Sequence, residues 1–219
     1  MKKSLIAILF LFFSLSTFAQ SGPLPYGFRL GLTAHPNFGF GKAENGKGEG
    51  VALGFSYGLL GDFNFAENYS FATGITITTM NTKVTEVILS PSSTYPIANM
   101  EVFKKYMMQY IEIPISIKLK TANINGIRWY GQFGISNDIR IGAKLDSETQ
   151  GSAPIKNIGA NDYTKFYRAG VIIGGGGEFE LNGKTSLLLG VTLNNGFTNI
   201  STGSKVRNHN VGINVGVFF

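Results

Sequence analysis

Histidine is the side chain best suited to holding a metal or moving a proton near neutral pH. This chain of 219 residues has two, His35 and His209. A metal site or a hydrolytic centre would need each to meet a carboxylate, and the local sequence places none beside either. The chain has no cysteine, which removes thiolate nucleophiles, thiolate metal sites and disulfides. Gly174 to Gly177 has no Lys-Ser or Lys-Thr after it and runs into Glu178, so it lacks the parts of a phosphate cradle and is expected to be closely packed wall. No catalytic, cofactor-binding or metal-ligating residue is assigned, and no enzymatic activity or cofactor is expected.

The remaining chemistry lies in charges. Arg29, Asp62, Glu112, Lys118, Lys120, Arg128, Asp138, Arg140, Arg168, Glu178 and Glu180 all fall on the same parity as the small and polar residues of alternating segments. If that parity faces a narrow interior, the charges must pair, because unpaired buried charge is costly. Glu112, Lys118 and Lys120 are expected beside Arg128, Asp138 and Arg140 on the next strand, in an ion-pair network that fills the lumen and leaves no open pore. On that reading, Glu112→Ala would strand nearby cations.

The elements that position these charges are strands. Tyr110 to Lys120 (YIEIPISIKLK) alternates Ile111, Ile113, Ile115, Ile117 and Leu119 with Glu112, Pro114, Ser116, Lys118 and Lys120, a period of two with one aliphatic face. Pro114 has no N–H for a ladder, so a local bulge or break is expected there. The same alternation marks seven more strands, from Tyr26 to Pro36, Val51 to Phe65, Tyr69 to Thr78, Ile127 to Ile141, Tyr163 to Leu181, Lys184 to Phe197 and Asn210 to Phe219. Connections are long after strands one, three, five and seven and short after two, four and six. Asn81 to Lys105, a loop with room for some strand extension, and Lys144 to Asp162 read as the principal loops, and Asn182-Gly183 as a type I′ hairpin turn. Short turns at one end and long loops at the other are the signature of an outer-membrane barrel. The expected fold is therefore all-β, an eight-stranded antiparallel up-and-down transmembrane β-barrel, with both termini periplasmic. A soluble lipocalin-like barrel would turn its aliphatic face inwards around a ligand. The many glycines favour the membrane form, in which small residues make room for long charged ones inside. Aromatics near strand ends (Phe63, Phe65, Tyr69, Phe71, Trp129, Tyr130, Tyr106, Tyr110, Tyr163, Tyr167, Phe218 and Phe219) are expected to form interfacial girdles.

Lys2 and Lys3, the apolar Leu5 to Phe13 and Thr17-Phe18-Ala19 form a secretory signal, giving a leader over 1–19 and a barrel domain over 20–219. Loss of the two lysines lowers the formal charge from +6 to +4. The remaining cations are scattered, which argues against a nucleic-acid partner.

The signal ending in Ala-Gln, the YIEIPISIKLK strand, the Gly-rich strands and the final VGINVGVFF together resemble the PorT-like outer-membrane β-barrel proteins of the Bacteroidetes type. The resemblance implies an outer-membrane location, contact with its lipids, insertion by the barrel-assembly machinery reading the Phe219 end, and a secretion-system or surface-protein partner. The functional expectation is a small, filled barrel with a structural or interaction role through its external loops. The competing readings are a lipid- or small-molecule-binding barrel or transporter, and an enzyme with its site at the rim.

Overall fold

The computed structural model describes residues 27–89, 99–149, 152–182 and 185–219, so the leader and the Asn182-Gly183 turn lie outside the described residues. Among the described residues there are ten strands, β1 (Phe28–Ala43), β2 (Gly46–Gly48), β3 (Ala52–Ala66), β4 (Tyr69–Leu89), β5 (Asn99–Lys120), β6 (Ile127–Thr149), β7 (Ile155–Gly159), β8 (Tyr167–Asn182), β9 (Thr185–Gly196) and β10 (Val206–Phe218). Eight of them close into an antiparallel ring in the order β4-β3-β1-β10-β9-β8-β6-β5, sealed by the β4–β5 pairing; β2 adds to β4 and β7 to β6 outside that circuit. Among the described residues there is no helix.

The stagger of the ring is legible in its register. Arg29 pairs with Asp62, Asp62 with Ala72, Ala72 with Ser116, Ser116 with Gly134, Gly134 with Ile172, Ile172 with Asn194, Asn194 with Asn210, and Asn210 with Gly39. One circuit therefore returns to β1 ten residues above its start (39 − 29). A shift of that size in eight strands tilts them by roughly 40° and leaves an interior that side chains can fill.

Alternation sorts the faces as the sequence suggests. Leu30, Leu32, Ile75, Ile115, Leu119, Phe133, Ile135, Ile173, Val191 and Ile213 point outwards and are exposed. The wall ends in aromatics on the turn side, Phe28, Phe63, Phe65, Tyr69, Trp129 and Phe219, with Phe28 and Phe63 ring centroids 4.6 Å apart. Phe55, Tyr167 and Phe197 are exposed nearer the loop side. Phe28 and Phe38 face the same way eleven residues apart, counted inclusively (38 − 28 + 1), close to the roughly 9–11 residues a tilted strand needs to cross hydrocarbon.

Several expectations are corrected. Tyr106, Tyr110, Tyr130 and Phe218 are buried inside rather than set in the girdles, because each lies on the inward parity of its strand. The segments 81–105 and 144–162 are largely strand, since β4 runs on to Leu89, β5 begins at Asn99, β6 continues to Thr149 and β7 follows. The first strand likewise extends to Ala43. These extensions are polar and show no aliphatic stripe because they rise beyond the apolar band. β4, β5 and β6 thus form a wall of 21, 22 and 23 residues against 12 and 13 in β9 and β10.

Pro114 stays in register with Ser136 on β6, and the bulge between β5 and β6 falls instead at Gln109/Tyr110. Towards β4 the pairing lapses at Gly74 and Ile75, between Thr73–Ile115 and Thr76–Glu112, with no change of register. The proline therefore makes a break and no bulge. Thr73 Oγ1 donates to the Pro114 carbonyl at 2.8 Å, bridging the gap.

Candidate functional site

The lumen is filled in layers, and the layer nearest the turns is ionic. Asp62 on β3 and Glu178 on β8 face Arg29 on β1 and two cations of β5. Arg29 Nη2 lies 3.1 Å from Asp62 and 2.6 Å from Glu178. Lys118 Nζ is 2.9 Å from Asp62 and 3.5 Å from Glu178, and Lys120 Nζ is 3.0 and 3.4 Å from the same two carboxylates. Aromatic faces complete the cage, with Arg29 4.6 Å over the Phe218 ring and Lys118 5.0 and 5.1 Å over Phe218 and Tyr130. Three cations on two anions leave one positive charge, and ring faces are the apolar surfaces that attract it. Space for these side chains comes from glycine: a methyl on Gly190 would run into the Tyr130 hydroxyl.

The middle layer is built around Arg168, whose side chain is buried. It donates to Asp138 Oδ2 and Asn208 Oδ1, and to Asn194 Oδ1 at 3.0 Å and the Asn208 carbonyl at 3.1 Å. Gly196 faces it, and a Cβ there would stand 2.8 Å from Nη2. Glu112 sits in register with Asp138, accepting hydrogen bonds from Thr78 at 2.9 Å and Asn194 at 3.1 Å. Between the ionic and middle layers lies a cavity of about 110 Å³ with mixed walls, bordered by Thr33, His35, Gln132 and Asn214 as well as Leu60 and Leu188.

Above Arg168 the filling becomes apolar. Met80, Val84, Tyr106, Met108, Tyr110, Ala143 and Val206 pack with Ala160 and Ile200, which come from the loops. Those two loops are tied together: Lys165 N donates to Ile200 O at 2.8 Å and Thr202 N to Tyr163 O at 3.0 Å. Arg140 holds the cap from below, donating to the Asn161 carbonyl at 2.7 Å and to Thr164. At the rim Glu86 accepts from Lys104 at 2.7 Å, Tyr106 at 3.2 Å and Ser204 at 3.0 Å. On the opposite side the barrel opens into a mouth of about 570 Å³ bordered by Arg29, Lys120, Arg128, Glu178 and Glu180.

The charges thus divide into groups. Arg29, Asp62, Lys118, Lys120 and Glu178 meet in one cluster, and Asp138 and Arg168 in another beside Glu112. Arg140 belongs to the cap, while Arg128 and the exposed Glu180, which accepts from Asn123 at 2.7 Å, stand at the mouth and form no ion pair among the described residues. The pairing of β5 charges with those of β6 is corrected, because register puts Glu112 opposite Asp138, Lys118 opposite Gln132 and Lys120 opposite Tyr130. In a barrel this narrow the partners of the β5 lysines lie across the lumen, on β3 and β8. The residues that sequence reasoning missed, Tyr130, Asn194, Asn208 and Phe218, lie on inward parity too; attention to charge alone passed over them.

The histidines do not meet. His35 faces inwards, with Nδ1 3.0 Å from Thr33 Oγ1, whereas His209 faces outwards and stacks on Phe40 at 5.4 Å. Among the described residues no group of three His, Cys, Asp or Glu side chains is arranged for a metal ion. Gly174 to Gly177 continue β8 in unbroken register with both neighbours.

A family model described as "Outer membrane protein beta-barrel domain" matches residues 18–202. No curated protein sequence matches the chain. Among solved structures, Neisserial surface protein A is similar at 13% identity and a TM-score of 0.45, over 86% of this chain and 95% of that one. Ail, the attachment invasion locus protein of Yersinia pestis, aligns at 11% identity and 0.37, covering 87% and 98%. OprG from Pseudomonas aeruginosa aligns at 12% identity and 0.36, covering 87% and 93%.

Proposed function

Because the chain belongs to the outer membrane protein beta-barrel domain family, we propose that it is a non-conducting barrel of the outer membrane whose work is contact with another envelope protein. The contact is made on its raised β4–β5–β6 wall. The observation that carries this reading is the stack of ionic, polar and apolar layers closed by the loop cap, set beside a wall that rises only on one side. A filled lumen leaves the outside of the molecule as its working surface. The long connections face outwards and both termini face the periplasm. The resemblance to PorT-like proteins of the Bacteroidetes type supports a partner in protein secretion.

Transport or ligand capture finds little room inside. The mid-lumen cavity of about 110 Å³ is well below the roughly 300–1,000 Å³ of small-molecule pockets, and the mouth of about 570 Å³ on the turn side, though of pocket size, is an open vestibule bordered by Arg29, Lys120 and Glu178 of the ionic cluster. The rim-site enzyme loses its basis with the two histidines on opposite faces of the wall.

Photo-crosslinking in intact cells tests the proposal. A crosslinker at Phe103 or Glu148 on the raised wall captures one protein band, a crosslinker at lipid-facing Phe133 does not, and replacement of residues 90–98 by a two-residue Asn-Gly turn abolishes the band while leaving the melting curve unchanged. Stable porin-sized conductance from the purified protein, or equal capture from all three positions, overturns it.

A further inference from the structure

The outward face of the barrel wall carries cations in one place. Lys42 on β1 pairs in register with Arg207 on β10, and Lys83 on β4 pairs with Lys105 on β5. Lys144 on β6 is in register with Met107, two residues from Lys105. Lys42 and Arg207 follow directly on the stacked Phe40 and His209, so these cations stand just beyond the loop-side end of the apolar band. The corresponding outward positions at the turn side are Phe28, Phe63, Phe65, Tyr69, Trp129 and Phe219, all uncharged.

Two directly opposed pairs of like charge are unfavourable in a sheet unless something neutralises them. Other loop-side cations have carboxylates at hand: Lys47 lies 3.4 Å from Glu49, Lys104 2.7 Å from Glu86 and Lys205 2.8 Å from Glu44. Among the described residues none of the five wall cations is in an ion pair, and Asp146, the register partner of Lys105, is not within pairing distance. The wall thus presents cations where it leaves the hydrocarbon; Asp146 and Glu49 stand on the same stretch of wall, yet among the described residues no carboxylate closes an ion pair with any of the five.

We propose that this band seats the phosphate groups of the glycolipid in the outer leaflet, with Lys83, Lys105 and Lys144 as one seat and Lys42 with Arg207 as another. Acyl chains lie on the aliphatic wall below while the phosphates take the charges above, so one lipid engages both surfaces. Several ammonium and guanidinium groups in one patch suit a headgroup of more than one negative charge. The proposal rests on the outward orientation of the long connections.

The test is thermal unfolding of the purified barrel in phosphatidylcholine nanodiscs. Added lipid A raises the melting temperature by roughly 5 °C, dephosphorylated lipid A does not, and phosphatidylglycerol at matched charge gives a smaller shift. K83Q/K105Q/K144Q melts like the parent without lipid A and loses most of the shift, and K83R/K105R/K144R keeps it. An equal shift with dephosphorylated lipid A, with phosphatidylglycerol or in the glutamine variant, or no shift at all, overturns the proposal. An epitope inserted between residues 90 and 98 reports orientation separately. If it is exposed on intact cells while the lipid A shift is missing, only the lipid proposal falls; if it is shielded while the shift persists, the orientation falls.

Discussion

Asp62 and Glu112 are both carboxylates facing the lumen, yet they hold different positions in its energetics. Asp62 is shared by Arg29, Lys118 and Lys120, and removing its charge leaves three cations on Glu178 alone. Breaking such buried pairing costs roughly 3–5 kcal/mol, so Asp62→Asn is expected to lower stability by about that much in a urea titration of the refolded barrel. Glu112 has no cation partner of its own and stands in register with another carboxylate, accepting hydrogen bonds that an amide oxygen also accepts. Glu112→Gln is therefore expected to change stability by less than about 1 kcal/mol, in place of the cation-stranding loss that the sequence suggests for this position. Parity alone identified the inward charges of the candidate site. It was silent on their partners, because who meets whom across the lumen depends on the circumference and stagger of the closed ring, and neither Lys118 nor Glu178 encodes that locally.

At the scale of the strand, Pro114 shows how a sheet tolerates a missing donor. Pairing lapses for two residues towards β4, register persists, and a threonine hydroxyl binds the proline carbonyl. Pro114→Ala restores a backbone N–H, so amide exchange at Gly74 and Ile75 is expected to slow and the new amide of residue 114 to be protected, while overall stability moves little because the more flexible unfolded chain offsets the added hydrogen bond. Unchanged exchange in that segment would show that the break has another origin. The strands crossing the apolar band were legible because one face must be aliphatic there, as Ile111 to Leu119 show. Residues 81–89 and 99–105 were not, because Lys83, Glu86, Glu101 and Lys104 form strands in water, where ladder bonding and side-chain pairs stabilise the sheet without an apolar stripe. The Asn125-Gly126 dipeptide carried a hairpin signal that the sequence reading left unused: both residues have positive φ, 54° and 82°, and Ile124 and Ile127 exchange backbone hydrogen bonds across it, the form of an Asn-Gly type I′ hairpin.

For the whole molecule, the closures of the lumen act in series. Ile200→Ala loosens the cap around a buried side chain, a change that costs roughly 2–5 kcal/mol. It is nevertheless expected to give no conductance in planar bilayers, because the Arg168 layer and the Asp62 cluster still block the path. Stable channel openings in that variant would show that the cap alone keeps the barrel shut. The ring itself has one seam between the ends of the chain, where β1 pairs with β10, and the ionic cluster draws Arg29 from one side of that seam and the Phe218 ring from the other. Until the last strand arrives, Lys118, Lys120, Asp62 and Glu178 line an open trough and keep their hydration. Closing the β1–β10 seam and enclosing these charges are therefore coupled in the structure, since the seam supplies both Arg29 and the ring that covers it.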